Sequence, residues 1–498
     1  MMELSGVRLN SAQPWAIPWI AAGLMLSFAS LFAVNSLELI GATWVAIAGA
    51  RIALRVNVFP VLLALVFPFL EIVTSVLDAE GTGQNMNDRF YGHGREVYWI
   101  SLLGLCAMFA GWRWIVGRRI QFSVQQMEHR LIGMDLQRLV VLHVGLIALD
   151  RVVDFFIPYG SSLAQITLHL GKLPLVVLYL IVWRYRVKPE QLLLVAGVVI
   201  VNVIVSFLSF FSDWKEIIVL FGFLLVSTPV QPGLRSIRRL GVAALISLLF
   251  LSTWQGVKQD YRNFLNGGEG SQRVLVSNSE ALKKFADLSS TFWAGGELEI
   301  GSSNTDDVTR ATLERVGYID LFARMRQYVP AEIPHEDGGL MAGNLSFALI
   351  PRILNPNKGV KNDQWKVEKY AKRIVADNAS FSLGHFAEHY VDYGPRGMWF
   401  SLLLFGVALG LVTLLFLRPS LVPGCDLIYL FLTLSLAFSY QADAIKIYGQ
   451  VVWGSAFWLV IGRRIMALSL RQLGVGSSSE LKGATGTTGT PVESSPQA

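Results

Sequence analysis

GMWFSLLLFGVALGLVTLLFLR, residues 397–418, decides the class of this protein, because its only charged residue is the last, Arg418. Hydrocarbon offers the peptide backbone no hydrogen-bond partners, so a run of about 20 mostly apolar residues is stable there only as a spanning helix. Working outward, the same reading finds runs at 15–35, 57–77, 98–117, 138–157, 164–183, 191–211, 239–256 and 447–467. Shorter or more polar candidates lie at 37–53, 215–230 and 424–440. The expectation is an all-α polytopic integral membrane protein with about twelve transmembrane helices.

Composition points the same way. Of 498 residues, 53% are hydrophobic and only 16% charged, against about 25% charged in soluble proteins. The sequence pI of about 9.2 would suit a nucleic-acid binder. Here the basic residues sit in short tracts between apolar runs, so the expected partner is the lipid bilayer and no nucleic acid. Two cysteines, Cys106 and Cys425, make neither a disulfide framework nor a thiolate metal site. No small-residue cleavage site follows the first apolar run, which is therefore expected to be retained.

Charge placement orients the chain. One set of connections carries Arg51 and Arg55, then Arg118, Arg119 and Arg130, then Arg184, Arg186 and Lys188, then Arg235, Arg238 and Arg239, then Arg418. The C-terminal flank adds Arg463, Arg464 and Arg471, whereas the short intervening connections have almost no basic residues. The positive-inside rule then predicts cytoplasmic N- and C-termini and outer loops at 78–97 and 257–396. The expected organisation is membrane helices over 1–256, a large, mostly helical extracytoplasmic loop over 257–396, and three more membrane helices over 397–471. A Gly-, Ser- and Thr-rich cytoplasmic tail over 472–498 is expected to be disordered. Within the large loop, 307–328 and 364–375 have helical periodicity.

Three clusters carry candidate chemistry. Arg352 to Arg373 includes Lys358, Lys361, Lys366, Lys369 and Lys372. On a helix, Val367, Tyr370, Ala371 and Ile374 share an apolar face, and Lys366, Lys369 and Arg373 another. Such a helix suits a membrane surface or phosphate groups, and equally a solvated face. His385, Glu388, His389 and Asp392 fall at i, i+3, i+4 and i+7, so all four project one way. That string also fits H-x-x-E-H, a zinc-protease pattern, but the next apolar run follows at once and leaves no room nearby for a third ligand. Metal-free acid–base work or structural capping is the expected role. Lastly, Asp150, Arg151, Asp154, His169, Lys172, Asp213, Lys215 and Glu216 lie within or beside apolar runs on the outer side, where ionisable groups face a cavity or pair with each other. No Walker loop, dinucleotide fingerprint or Asp-x-Asp pair is present. Energy for any reaction must therefore come from the substrate itself, with no cofactor and no metal.

Val257-Lys258-Gln259-Asp260-Tyr261-Arg262, Leu349-Ile350-Pro351-Arg352 with Pro356-Asn357-Lys358, and Val391-Asp392-Tyr393-Gly394-Pro395-Arg396-Gly397 resemble elements of the bacterial oligosaccharide repeat-unit polymerases, the O-antigen or Wzy-type family. Arg315 and Asp213-Trp214-Lys215 resemble further elements of it. The resemblance covers about 240–410 and the overall topology. It implies a GT-C-like membrane glycosyltransferase in the bacterial cytoplasmic (inner) membrane. Such an enzyme polymerises polyprenyl-pyrophosphate-linked oligosaccharide into O-antigen, capsule or exopolysaccharide, commonly beside a chain-length regulator. Arg262, Arg315 and Arg352, assisted by Lys358 and Lys215, would hold the pyrophosphate and glycan, since guanidinium forks clamp phosphate oxygens in two places. His385 or Glu388 would be the catalytic base. An O-antigen ligase acting on the same lipid carrier is the nearest alternative. A polysaccharide transporter or flippase is further off, because the chain divides nine-plus-three around the outer loop without repeat symmetry.

Overall fold

The computed structural model describes residues 16–56, 59–117, 131–157, 164–207, 249, 252–254, 256–268, 274–295, 317–351, 354–355, 358, 363–374, 382–418, 420 and 422–472. Among the described residues the secondary structure is helical, with no strand. The longer helices are α1 (Ala16–Ser30), α2 (Ser36–Val56), α3 (Phe59–Gly81), α4 (Gly94–Val116), α5 (Leu136–Phe156), α6 (Lys172–Val187) and α7 (Leu192–Phe207). They continue with α8 (Asn278–Trp293), α9 (Ile319–Tyr328), α10 (Gly339–Leu349), α11 (Gln364–Ala371), α12 (His385–Phe416), α13 (Pro423–Ala437) and α14 (Ala444–Gln472).

Four described helices are long and apolar enough to cross a membrane: α4, Thr167–Val187, α12 and α14. The further spans expected from the sequence, about twelve in all, are not shown by these four, which are counted among the described residues alone. The α5 helix carries Arg138, Asp150, Arg151 and Asp154, more charge than an apolar span ordinarily holds. The apolar α13 has 15 residues, short of the roughly 20 a span needs. The expected run at 215–230 and most of 239–256 lie outside the described residues, as does the expected disordered tail.

The packing is organised around α4 and α12, the most extensively paired helices. Small residues let their backbones approach closely. A Cβ on Gly406 would stand 1.9 Å from the Met108 carbonyl oxygen, and one on Gly111 would stand 2.1 Å from that of Leu403. Two indoles lock the pair: Trp112 donates to Thr413 Oγ1 at 3.0 Å, and Trp399 donates to the Ile100 carbonyl at 3.1 Å. The main apolar core joins these helices to α3, α5, α6, α9, α13 and α14. A second, smaller cluster joins Trp254, Val257, Tyr261 and Leu265 to Ala281, Leu288 and Phe292 of α8.

Two features break the helices near the site. In α12, Gly394 adopts φ 65° and ψ −174°, followed by Pro395, so His385–Tyr393 is a separate segment set on the membrane-length part. Only glycine enters that conformation without strain. In α14, residues Gln450–Gly454 and Trp458–Gly462 are π-helical turns, a local widening that re-aims side chains. A Cβ on Gly454 would fall 2.5 Å from Gln450 Nε2, so this glycine makes room for the Gln450 amide. That amide donates to Thr433 Oγ1 and accepts from Lys172 of α6.

Candidate functional site

The first segment of α12 is buried on all sides. His385, Glu388 and Asp392 are 0% exposed and His389 is 3% exposed. Burying four ionisable groups is tolerated only when each finds a partner: the two histidines find theirs within α12, and Glu388 and Asp392 find theirs on α10 and α11. The α11 helix delivers Lys366, itself buried, because Val367, Tyr370 and Ala371 turn its apolar side into the core. Lys366 Nζ donates to Glu388 Oε2 at 2.8 Å, to Asp443 Oδ2 at 2.7 Å and to Asn344 Oδ1 at 3.1 Å. Asn344 of α10 completes the set by donating to the same Glu388 oxygen at 2.5 Å. Asp443 is fixed in turn as the N-cap of α14, accepting from the Ile445 amide at 2.8 Å.

One ammonium thus stands between two carboxylates. Burial disfavours the Lys366 cation, but Glu388 and Asp443 outweigh it and hold its pKa above the usual lysine range. Two buried polar atoms keep no hydrogen-bond partner: Glu388 Oε1 and His385 Nδ1. The His385 and His389 Nε2 atoms lie 2.8 Å apart, one donating and the other accepting, and His389 Nδ1 meets Ser401 Oγ at 2.7 Å. Asp392 leaves this group and accepts from the Leu340 and Met341 amides at the start of α10, at 3.0 and 2.6 Å, where the helix dipole favours an anion. The H-x-x-E-H string therefore does not converge as metal ligands do: the histidines face each other while Glu388 turns to Lys366. Among the described residues no group of three or more His, Cys, Asp or Glu side chains is arranged to hold a metal ion.

The other sequence candidates stand elsewhere. Arg262 lies on helical residues 256–265, whose apolar side packs against α8 in the second cluster. Lys358 is buried beneath α10, where its ammonium donates to the Ile350 carbonyl at 2.7 Å, donates also to that of Phe347, and lies 4.1 Å from the Phe347 ring centroid. Its contacts are those of a helix C-cap. Arg315, Arg352 and Lys215 lie outside the described residues. The expected face of α11 divides: Lys366 is buried with the apolar residues, Lys369 reaches Glu336 at 2.6 Å, and Ile374 is 93% exposed beyond the helix end.

Asn344 and Asp443 were not singled out from sequence. Asp443 carries a signal all the same, since it is an acidic residue at the edge of the final apolar run. Asn344 carries none, being an unremarkable polar residue in an apolar stretch.

With helices and no strand among its described residues, four of those helices of membrane-spanning length, the chain is of the all-α membrane class. Residues 100–418 match the model of the family described as Domain of unknown function (DUF8712). The match spans more than half of the chain, and the protein belongs to that family. It runs from within α4 through α12, with Asn344, Lys366, His385 and Glu388, and stops short of Asp443. No curated protein and no solved structure matches the chain.

Proposed function

We propose that this protein is a metal-independent membrane glycosyltransferase that polymerises polyprenyl-pyrophosphate-linked oligosaccharide repeat units outside the bacterial cytoplasmic membrane. In this reading its termini are cytoplasmic, and the segment holding α8 to α11 faces outward. The observation that carries the proposal is the Glu388 carboxylate. Lys366 and Asn344 hold one oxygen, and the other is buried with no hydrogen-bond partner. A carboxylate fixed through one oxygen presents the other in a defined direction, as a positioned general base must.

The chemistry follows. The terminal hydroxyl of one lipid-linked glycan attacks the anomeric carbon of the other, and its proton passes to Glu388. The bond from that carbon to the pyrophosphate oxygen breaks, and the electron pair leaves with polyprenyl pyrophosphate. The leaving group is already activated, so neither nucleotide nor cofactor is needed. Lys366, Asn344 and Asp443 position Glu388, and His385 is the second group able to take the proton. The pyrophosphate clamp is assigned to Arg262, Arg315 and Arg352, with Lys215. Lys358, engaged beneath α10, supports that helix.

The test is deletion of the gene followed by sizing of both lipid-linked and surface glycan, with complementation by Glu388→Gln and Arg352→Ala. Single repeat units accumulating on the lipid, with long polymer lost and neither variant restoring it at normal protein levels, is the expected result. Long polymer still made on the lipid but never transferred would replace polymerase by ligase. Unchanged glycans would end both readings.

A further inference from the structure

The α10 helix is amphipathic the wrong way round for a helix in water. From Gly338 to Pro351 the sequence has no charged residue, although the surrounding segment is rich in them. The buried face consists of Leu340, Met341, Asn344 and Ala348, and its polar member, Asn344, points inward to Glu388. The open face is Ala342, Leu345, Ser346 and Leu349, at i, i+3, i+4 and i+7, and it continues into Ile350. Leu345 is 42% exposed, Leu349 39% and Ile350 44%. Even Ser346 on that face returns its hydroxyl to the Gly343 carbonyl at 2.9 Å.

The backbone of α10 gives a second, independent observation. A helix in water leaves its first amides and last carbonyls to solvent, and a helix in hydrocarbon has no such recourse. Here the Gly339 amide donates to the Glu336 carbonyl, the Leu340 and Met341 amides donate to Asp392, and the Ala342 amide donates to the Gly338 carbonyl. At the other end the Ser346 carbonyl accepts from the Ile350 amide, that of Phe347 from Lys358, and that of Ala348 from the Trp453 indole at 2.9 Å. The protein itself satisfies these groups. The α10 helix also packs against Ala444–Gly449, the start of α14, itself a helix of membrane-spanning length.

We propose that α10 lies in the hydrocarbon margin of the bilayer, with Leu345, Leu349 and Ile350 in contact with lipid chains. The helix is then the wall between lipid and the buried Lys366–Glu388–Asp443 group, contacting one on each side. Trp453 and Lys358 satisfy its C-terminal carbonyls because no water reaches them. This inference stands whether or not the protein is a glycosyltransferase.

The test places a nitroxide at Leu349→Cys, in a chain carrying Cys106→Ala and Cys425→Ala, reconstituted in phosphatidylcholine nanodiscs. Leu411→Cys, exposed on the membrane-length part of α12, serves as the lipid reference and Ser279→Cys, exposed on α8, as the water reference. Power saturation is expected to give collision with oxygen exceeding collision with a water-soluble nickel chelate at 349, as at 411 and in reverse of 279. Chelate-dominated relaxation at 349 would overturn the proposal, as would protection from both reagents, which would mean a second protein copy covers the face. Should removal of Cys425 prevent folding, a benzophenone amino acid at position 349 in the otherwise native chain gives the same decision. A lipid adduct supports the proposal, and a protein–protein adduct or none refutes it.

Discussion

Replacing Lys366 by Met removes one ammonium and strands two carboxylates. The side chain is a near match in length, so the perturbation is electrical more than steric. Lys366, Glu388 and Asp443 are all 0% exposed, and the ammonium makes three hydrogen bonds, at 2.7, 2.8 and 3.1 Å. Breaking a buried ion pair by deleting one partner costs about 3–5 kcal/mol, because the remaining charge keeps its desolvation penalty without compensation. The cost expected of Lys366→Met therefore lies in that range. Removing all the charges together, with Glu388→Gln and Asp443→Asn added, is expected to return most of the loss. Equilibrium unfolding in mixed micelles, followed by tryptophan fluorescence, measures both variants. A pH series adds a sign. The folded-state pKa of Lys366 is raised, so its contribution is fully present below the unfolded value of about 10.4 and is lost as pH rises through the folded one. The wild type is therefore expected to lose more stability than Lys366→Met on the alkaline side. A single variant within about 0.5 kcal/mol of wild type, the size of an ordinary surface substitution, would refute the reasoning, since a hydrated lysine behaves that way.

On the acid side, Glu336 accepts from Lys369 and Tyr370, and these bonds hold its carboxyl below the ordinary range. Its contribution to docking α11 is present above about pH 4.3 and is lost as pH falls through the depressed folded value; hydrogen exchange of α11 is expected to show this, and Glu336→Gln to flatten it. Gly406→Ala drives a methyl group against the Met108 carbonyl and is expected to cost about 1–3 kcal/mol by overpacking, read in the same micelle titration, with Gly145→Ala, whose added methyl meets no neighbour, as the near-neutral control. Gly454→Ala displaces the Gln450 amide from Lys172 and Thr433 and is expected to cost about 1–3 kcal/mol, with Gln450→Ala giving no further loss in the double variant.

The long apolar runs were legible because a bilayer imposes a length and a composition that sequence displays directly. The run at 397–418 is the membrane-length part of α12, and 98–117 falls on α4. A run such as that of α5 was less legible, because an apolar stretch with four charges reads alike whether it crosses a membrane or packs beside helices that do. The site was half legible. Spacing alone put His385, Glu388, His389 and Asp392 on one segment, and the structure places all four in the interior. Periodicity says which residues share a face, but says nothing of what the face meets. Glu388 meets a lysine 22 residues earlier and, through it, an aspartate 55 residues later. Lys366 was visible as one cation among many on a basic helix, and only burial separates it from Lys369.

That separation bears on how a membrane site is read from sequence. A basic segment outside the membrane invites assignment to anionic ligands, and two cations of this one are already committed to the fold. Lys366 is held by two carboxylates, and Lys358 satisfies the carbonyls of a helix end. In each case the cation is matched by a demand arising from burial: uncompensated acid in one, unsolvated backbone in the other. Both demands meet at α10, which supplies Asn344 to the acid group and takes Lys358 at its end. A helix with Asn344 inward, Leu345 and Leu349 outward and its termini satisfied by protein groups obeys the hydrogen-bond requirements of hydrocarbon more closely than those of water. The residues that build the buried group and those that seal its wall are thus one arrangement, which sequence proximity conceals and packing reveals.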